Sequence, residues 1–295
     1  MKYVFICTNY NNSHYTEGAV GTLMAGESPP ALIVVVDNDS LPDQQAELRR
    51  LIDGRPAVEL LFSDRNVGYF AGLNLGLHRA LALMPDADAY IVGNNDLEFP
   101  GDFGTLLDRR RDTIAERMVV APNILTVTGL RQNPHAIRPI SRFRGLILDG
   151  YAASFSFARV LTWVARVTQK NTRRKDVDRY DAEGFIFMGL GACYILSPRF
   201  IEAVGELPAE VFLMHEEFFL SRRIAEEGEA VYYVPEILIT HHDHGSVGTV
   251  SSRLMWQYWR DSHKRYRRYV PRLGRHPVVS VLDRLQGNKL PDRGP

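Results

Sequence analysis

Cysteine is scarce in this chain. Two in 295 residues, Cys7 and Cys193, are too few for a disulfide framework, and each stands inside an apolar segment, as buried thiols in a reducing compartment do. The expected location is therefore cytoplasmic. Neither charge is in excess, since 35 Lys and Arg meet 35 Asp and Glu, so no global field argues for nucleic acid or an acidic surface as partner. Long apolar runs are missing as well. None approaches the roughly 20 residues of a spanning helix, and the opening "MKYVFICTNYNN" turns polar too soon for a secretory core, so neither export by that route nor a membrane span is expected. Several catalytic signatures are absent too: no GxGxxG after the first apolar run, no P-loop, no HExxH and no internal repeat.

What is present is alternation. Short Val/Ile/Leu runs, "YVFICT", "ALIVVV", "VELLF", "AYIVG" and "MVVAP", are separated by helix-period segments at 13–26, 43–53, 70–84 and 102–116. Such runs read as βαβ units in an α/β fold, a Rossmann-like, mainly parallel sheet covered on both faces. From 131 to 180 the pattern gives way to aromatics, leucines and arginines at helical spacing, a helical insertion with a basic end at Arg173, Arg174 and Lys175. "FIFMGLGACYILS" reads as a strand, followed by a helix from Pro198, a helix through "HEEFFLSRRIAEEG", strands "AVYYVP" and "ILIT", and an aromatic-basic helix from 252 with a loose tail. The expected organisation is a first half over 1–121, a second half over 122–250 that contains the insertion, and a C-terminal helix and tail over 251–295.

In doubly wound sheets ligands sit beyond the carboxyl ends of the strands. Four successive ends here are polar: "TNYNNS", "DNDS", "SDRNVGYFAGLN" and "NNDLEF". At the second, Asp37 can accept hydrogen bonds from a base or ribose and Asn38 can supply an amide, although Asp, Asn and Ser also make plain Asx turns. At the third, Gly68 and Gly72 permit close backbone approach and Asn66 and Asn74 offer side-chain amides; Gly72 and Gly76 equally suit tight helix packing. At the fourth, Asp96 can hold a hard divalent cation that bridges phosphates, with Asn94 or water beside it. The cluster His241, His242, Asp243 and His244 can add a nitrogen ligand to that cation. In "FLMHEEFFLSRRI", Glu216 and Glu217 begin an amphipathic helix, where the macrodipole favours them; apolar neighbours would also raise carboxylate basicity and suit a general base.

Taken in order over about residues 2–270, excluding 131–180, these motifs resemble the inverting family-two glycosyltransferases of GT-A fold, in particular the rhamnosyltransferase-like branch. That resemblance implies a GT-A sheet with an acceptor-side subdomain, and a nucleotide-sugar donor held by Thr8, Asn9, Asp37, Asn38, Asn66, Gly68, Asn74 and Asn95. It implies Asp96 as the surviving acid of a DXD-type metal motif, with His241 beside it, and a divalent cation, Mn or Mg. Glu217 would be the base and Glu216 its neighbour, acting on a hydroxyl of a glycan or lipid-linked acceptor in bacterial surface polysaccharide assembly. Two positions depart from the family: Asn94 stands first in the metal motif, and the base is Glu where Asp is commoner. "QYWRD", 257–261, is a partial echo of the QxxRW element of processive members, and no processivity follows from it.

Two other readings compete, one an enzyme and one not. A nucleotidyltransferase would need a Gly- and Lys/Arg-rich loop after the first strand, which "TNYNNSHY" does not supply, and a degenerate sugar-nucleotide-binding protein would bind donor without turnover. The basic-aromatic "WQYWRDSHKRYRRYVPRLGR" stands alone as a nucleic-acid signal. Such segments better suit peripheral contact with an anionic membrane face, against the alternative that Phe155, Phe157, Leu161 and Trp163 pack on the domain.

Overall fold

The computed structural model describes residues 1–168, 175–243, 252–270 and 276–287. Strands β1 (Tyr3–Asn9), β2 (Leu32–Asp37), β3 (Val58–Phe62) and β4 (Ala89–Asn94) lie parallel in the order β3-β2-β1-β4. Helices α1 (Ser13–Met24), α2 (Pro42–Ile52) and α3 (Tyr69–Leu83) make the crossovers between them. Strand alternation divides the core in two. Tyr3, Phe5, Cys7, Ile33 and Val35 face α1 and α2, whereas Val4, Ile6, Val34 and Val36 face Phe70, Leu73 and Leu77 of α3. Gly72 and Gly76 serve that packing: a Cβ on Gly76 would stand 2.5 Å from Ile6 Cγ2, and one on Gly72 would stand 2.9 Å from Thr8 Cγ2.

Beyond β4 the sheet becomes mixed. β8 (Cys193–Leu196) is antiparallel to both β4 and β6 (Val119–Thr126), and β6 runs parallel to β9 (Val231–His241). The short β5 (Leu97–Glu98) and β7 (Gly184–Ile186) each pair antiparallel with β9. The two expected halves therefore share one sheet, and the boundary at 121/122 falls within β6. The mainly parallel sheet expected is found, its parallel pairs running through β3-β2-β1-β4 and joining β6 to β9.

Several elements differ from expectation for physical reasons. The helix expected over 102–116 is two, α4 (Phe103–Arg109) and α5 (Arg111–Glu116), split at Arg110, whose φ of −102° and ψ of 15° leave the helical region. "FIFMGLGACYILS" is not one strand. Its glycine-rich middle forms a loop between β7 and β8, with Gly189 pressed on Ala121 and Tyr194. "AVYYVP" and "ILIT" are instead one strand, β9, which crosses Pro235 by a bulge because proline brings no N–H to the ladder. The insertion is helical as expected, a hairpin of α6 (Arg142–Ala153) and α7 (Phe155–Thr168).

On the far side, α8 (Pro198–Ala203) and α9 (Glu216–Glu226) cover the α3 face, with Phe200, Leu220 and Ile224 buried. Residues 276–287 are not a loose tail. After α10 (Ser252–Tyr269), α11 (Val279–Leu285) buries Val278 and Leu282 against Phe218, Phe219, Tyr266 and Val270. His244, Arg173, Arg174 and residues 288–295 lie outside the described residues.

Candidate active site

The in-register pairs Asn9↔Asp37 and Thr8↔Asn94 bring the ends of β1, β2 and β4 to one rim. Two antiparallel strands deliver the rest. β8 begins beside the end of β4, at Gly93↔Cys193, and β9 ends beside β5, at Leu97↔His241, so residues more than 140 positions apart converge. A cavity of about 760 Å³ opens there, lined among others by Thr8, Asn38, Asn66, Gly68, Asn94, Asn95, Asp96, Glu216, Glu217 and His241.

Three residues expected at the nucleotide, Asn9, Asp37 and Asn74, are not among those lining it. Asp37 is fully buried, accepting from Asn9 Nδ2 (2.8 Å), the Ser40 backbone N–H (2.9 Å) and Gln45 Nε2 (3.0 Å). Asn9 Oδ1 accepts in turn from Thr16 Oγ1 and Asn95 Nδ2, making a sealed polar layer beneath the rim. Asn74 exchanges two hydrogen bonds with the Leu207 backbone and ties α3 to the segment after α8. Their polar groups are spent on the scaffold. Asn38, by contrast, organises the rim itself: its Nδ2 donates to Asn66 Oδ1 and Gly68 O, and its Oδ1 accepts from Val67 N–H. Gly68 there has φ +93° and ψ 179°, and a Cβ on it would come within 2.5 Å of Phe212 O.

Asp96 and His241 form a pair. Asp96 Oδ1 lies 3.1 Å from His241 Nε2, and both side chains are buried. His241 Nδ1 is 2.7 Å from Gln132 Oε1, an oxygen that can only accept, so the proton sits on Nδ1 and the Nε2 lone pair faces Asp96. Asn94 Nδ2 lies 3.2 Å from that same nitrogen. A carboxylate oxygen and an imidazole lone pair at this separation repel unless they share a cation or a proton, and as O/N donors they suit a divalent first-row ion. Among the described residues no group of three or more His, Cys, Asp or Glu side chains gathers to hold a metal, so such an ion would complete its shell from elsewhere. His242 turns to Glu98, 3.1 Å away.

Glu216 and Glu217 open α9 after two successive left-handed residues, Met214 (φ +73°) and His215 (φ +69°). The loop that bears this strain is pinned from outside. Phe212 O accepts from Tyr69 N–H (3.0 Å) and Leu213 O from Ser262 Oγ (2.7 Å). Glu216 is buried with no hydrogen-bond partner on Oε1, and burial, reinforced by the charge of Glu217, pushes its carboxyl up to about 8. Glu217 is half-buried and its Oε1 accepts from Gly191 N–H at 3.2 Å. The other side of that residue, Gly191 O, accepts from the Tyr69 hydroxyl at 2.8 Å. Burial holds His215 neutral, its pKa lowered to about 3. Its Nε2 meets His263 Nδ1 at 3.4 Å, and His263 Nε2 reaches Asp149 Oδ1 at 2.9 Å.

Sequence reasoning did not find Tyr69, Gln132, Asp149 or His263. Their roles come from partners between 48 and 122 positions away, and no local spacing marks them. Gly191 lies within "FIFMGLGACYILS", and its reading as a strand gave no sign of this contact.

No protein-family model matches the chain, and no curated protein matches it in sequence. Solved structures do. Residues 1–349 of S. aureus TarS in complex with UDP-GlcNAc superpose at TM-score 0.53 and 12% identity, covering 85% of this chain and 62% of that one. The mannosyltransferase PcManGT from Pyrobaculum calidifontis, in complex with GDP-Man and Mn2+, gives 0.55 and 15%, covering 96% and 69%. GalNAc-T7 with UDP, GalNAc and Mn2+ gives 0.50 and 13%, covering 82% and 44%. In a further TarS 1–349 structure the chain spans 60% of its match. The fold is thus GT-A, the class expected from the order of the sequence motifs.

Proposed function

We propose that the chain is an inverting glycosyltransferase that moves a sugar from a nucleoside-diphosphate donor to a hydroxyl of a glycan or lipid-linked acceptor, in surface polysaccharide assembly. The observation that carries this reading is the meeting of the Asp96–His241 pair and the Glu216–Glu217 pair in one cavity at the carboxyl rim of a GT-A sheet. The nucleotide lies against Thr8, Asn38, Asn66 and Gly68, backed by the polar layer of Asn9, Asp37 and Asn95. Asp96 and His241 hold the divalent cation, Mn or Mg, which when bound supplies positive charge to a departing diphosphate.

The two glutamates divide the acid–base work. Burial favours the protonated form of Glu216, and Glu217, oriented by Gly191 N–H, is the carboxyl group placed to act as base. Glu217 accepts the acceptor hydroxyl proton as the oxygen attacks the anomeric carbon from the face opposite the nucleotide. The bond to diphosphate breaks with its electron pair leaving on phosphate oxygen, and the anomeric centre inverts.

The test is a thermal-shift panel of uridine, deoxythymidine and guanosine diphosphates with and without Mn2+ or Mg2+, paired with a transfer assay using the nucleotide sugar so identified. The resemblance to the rhamnosyltransferase-like branch puts deoxythymidine diphosphate in the panel. Glu217→Gln keeps the nucleotide shift and lowers transfer by about 10²–10⁴-fold. Loss of both together would count against its role as base. A binding protein without turnover, the second reading favoured by Asn94 in the first metal-motif position, shows the same shift with the unaltered chain and no transfer.

A further inference from the structure

The α6–α7 hairpin is built with its sizes reversed. A helix that packs on a core buries its large apolar side chains, yet here Gly145, Ala152 and Ala158 are buried while Phe143 is 74% exposed and Trp163 64%. On α7 the exposed Phe157, Val160, Trp163, Val164 and Val167 fall within an arc of about 120° at 3.6 residues per turn. The same projection puts Phe143 and exposed Leu146 of α6 on one face with Gly150, and the Phe157 ring rests on Gly150, 3.1 Å from where a Cβ would stand. One apolar stripe therefore runs along both helices.

Its edges are basic. Arg142 and Arg159, both exposed, project beside Leu146 and Trp163, and α7 has no acidic residue. The one acid of α6, Asp149, is turned inward to His263 and Arg267. The inner side of the same hairpin lines the active-site cavity through Arg144 and Leu148. Among the described residues no helix is long and apolar enough to cross a bilayer, so the stripe can lie on a membrane but not span it.

We propose that this stripe docks on an anionic bilayer surface and sets the cavity mouth at the lipid headgroups, so that the acceptor hydroxyl is carried on a lipid. Tryptophan and apolar side chains flanked by arginine, with no carboxylate among them, match that surface in both polarity and charge. The acceptor clause rests on the glycosyl-transfer reading; the docking itself does not.

The test is sedimentation of the full chain with vesicles of phosphatidylcholine, alone or mixed with phosphatidylglycerol. Binding is expected to rise with the anionic lipid and fall with salt, and brominated lipid is expected to quench the parent's fluorescence more than that of Trp163→Phe, which keeps Trp256 and Trp259. Arg159→Ala weakens partition about fivefold, and the double variant Val160→Ser/Trp163→Ser weakens it by about tenfold or more. Both keep the nucleotide thermal shift of the parent, which separates failure of docking from failure of the donor site. No sedimentation with anionic vesicles at low salt would overturn the proposal, as would a double variant that binds like the parent. So would a solution dimer that the double variant converts to monomer without any vesicle binding, which would give the stripe to a second copy of this chain.

Discussion

Glu216 is buried while Glu217, one peptide bond away, is held against Gly191 and lines the same cavity, and burial beside that second carboxyl group favours the protonated form of Glu216. Since the folded-state pKa of Glu216 is raised to about 8 by burial and by Glu217, the folded chain binds its proton where the unfolded chain has released it. This contribution to stability is full below the ordinary glutamate range and is lost as pH rises through about 8. Glu216→Gln, whose amide cannot ionise, is therefore expected to gain in Tm relative to the parent as pH increases from 5 to 8.5; a difference that is flat in pH would refute the assignment. The glutamate pair was legible in the sequence because adjacent acids at the head of an amphipathic helix are a local pattern. The Gly191 residue that orients Glu217, and the Tyr69 hydroxyl behind it, were not, since that geometry exists only once β8 lies beside β4. Asp37 shows the converse. Its sequence context suits a turn and a ligand contact equally, and the three donors that surround it come from Asn9, Ser40 and Gln45.

Helix α3 begins at a residue that no side chain replaces easily. Gly68 has a backbone conformation open essentially to glycine alone, and Phe212 O occupies the space a methyl group would need. Gly68→Ala is expected to destabilise the fold by about 1–3 kcal/mol and to lower nucleotide binding as well, because Asn38 Nδ2 bonds Gly68 O. Urea unfolding with and without the nucleotide separates the two effects. At this scale the parallel half was readable from continuous apolar runs, and α1, α2 and α3 fall within a residue or two of their expected limits. The second half was less so. Periodicity does not report that a glycine-rich loop will interrupt "FIFMGLGACYILS" or that a bulge will carry one strand across Pro235, because both depend on the neighbouring strand.

At the scale of the molecule, the helical insertion is joined to the C-terminal helix by a carboxylate and by aromatic contacts, Tyr151 with Trp259 and Phe155 with Trp256. Asp149 of α6 accepts from His263 Nε2 and Arg267 Nε of α10, at 2.9 and 2.6 Å, and Trp256 Nε1 donates to Tyr151 O. Asp149→Ala leaves the buried His263 Nε2 and the half-buried Arg267 Nε without their acceptor, at a cost of about 1–3 kcal/mol. Native-state hydrogen exchange is expected to show faster exchange in α6 and α10 with β1–β4 unchanged; uniform acceleration across the sheet would count against a local clasp. Beneath that clasp the sheet order has its own consequence for how the polypeptide is made. β4 and β6 are both complete by Thr126, yet the strand that belongs between them, β8, is Cys193–Leu196. During synthesis the growing chain must therefore emerge for some seventy residues with two open strand edges facing one another, the arrangement most exposed to pairing with a neighbouring nascent chain. Expression at low temperature or with chaperones is accordingly expected to raise the yield of this protein, and a fragment ending before Cys193 is expected to aggregate.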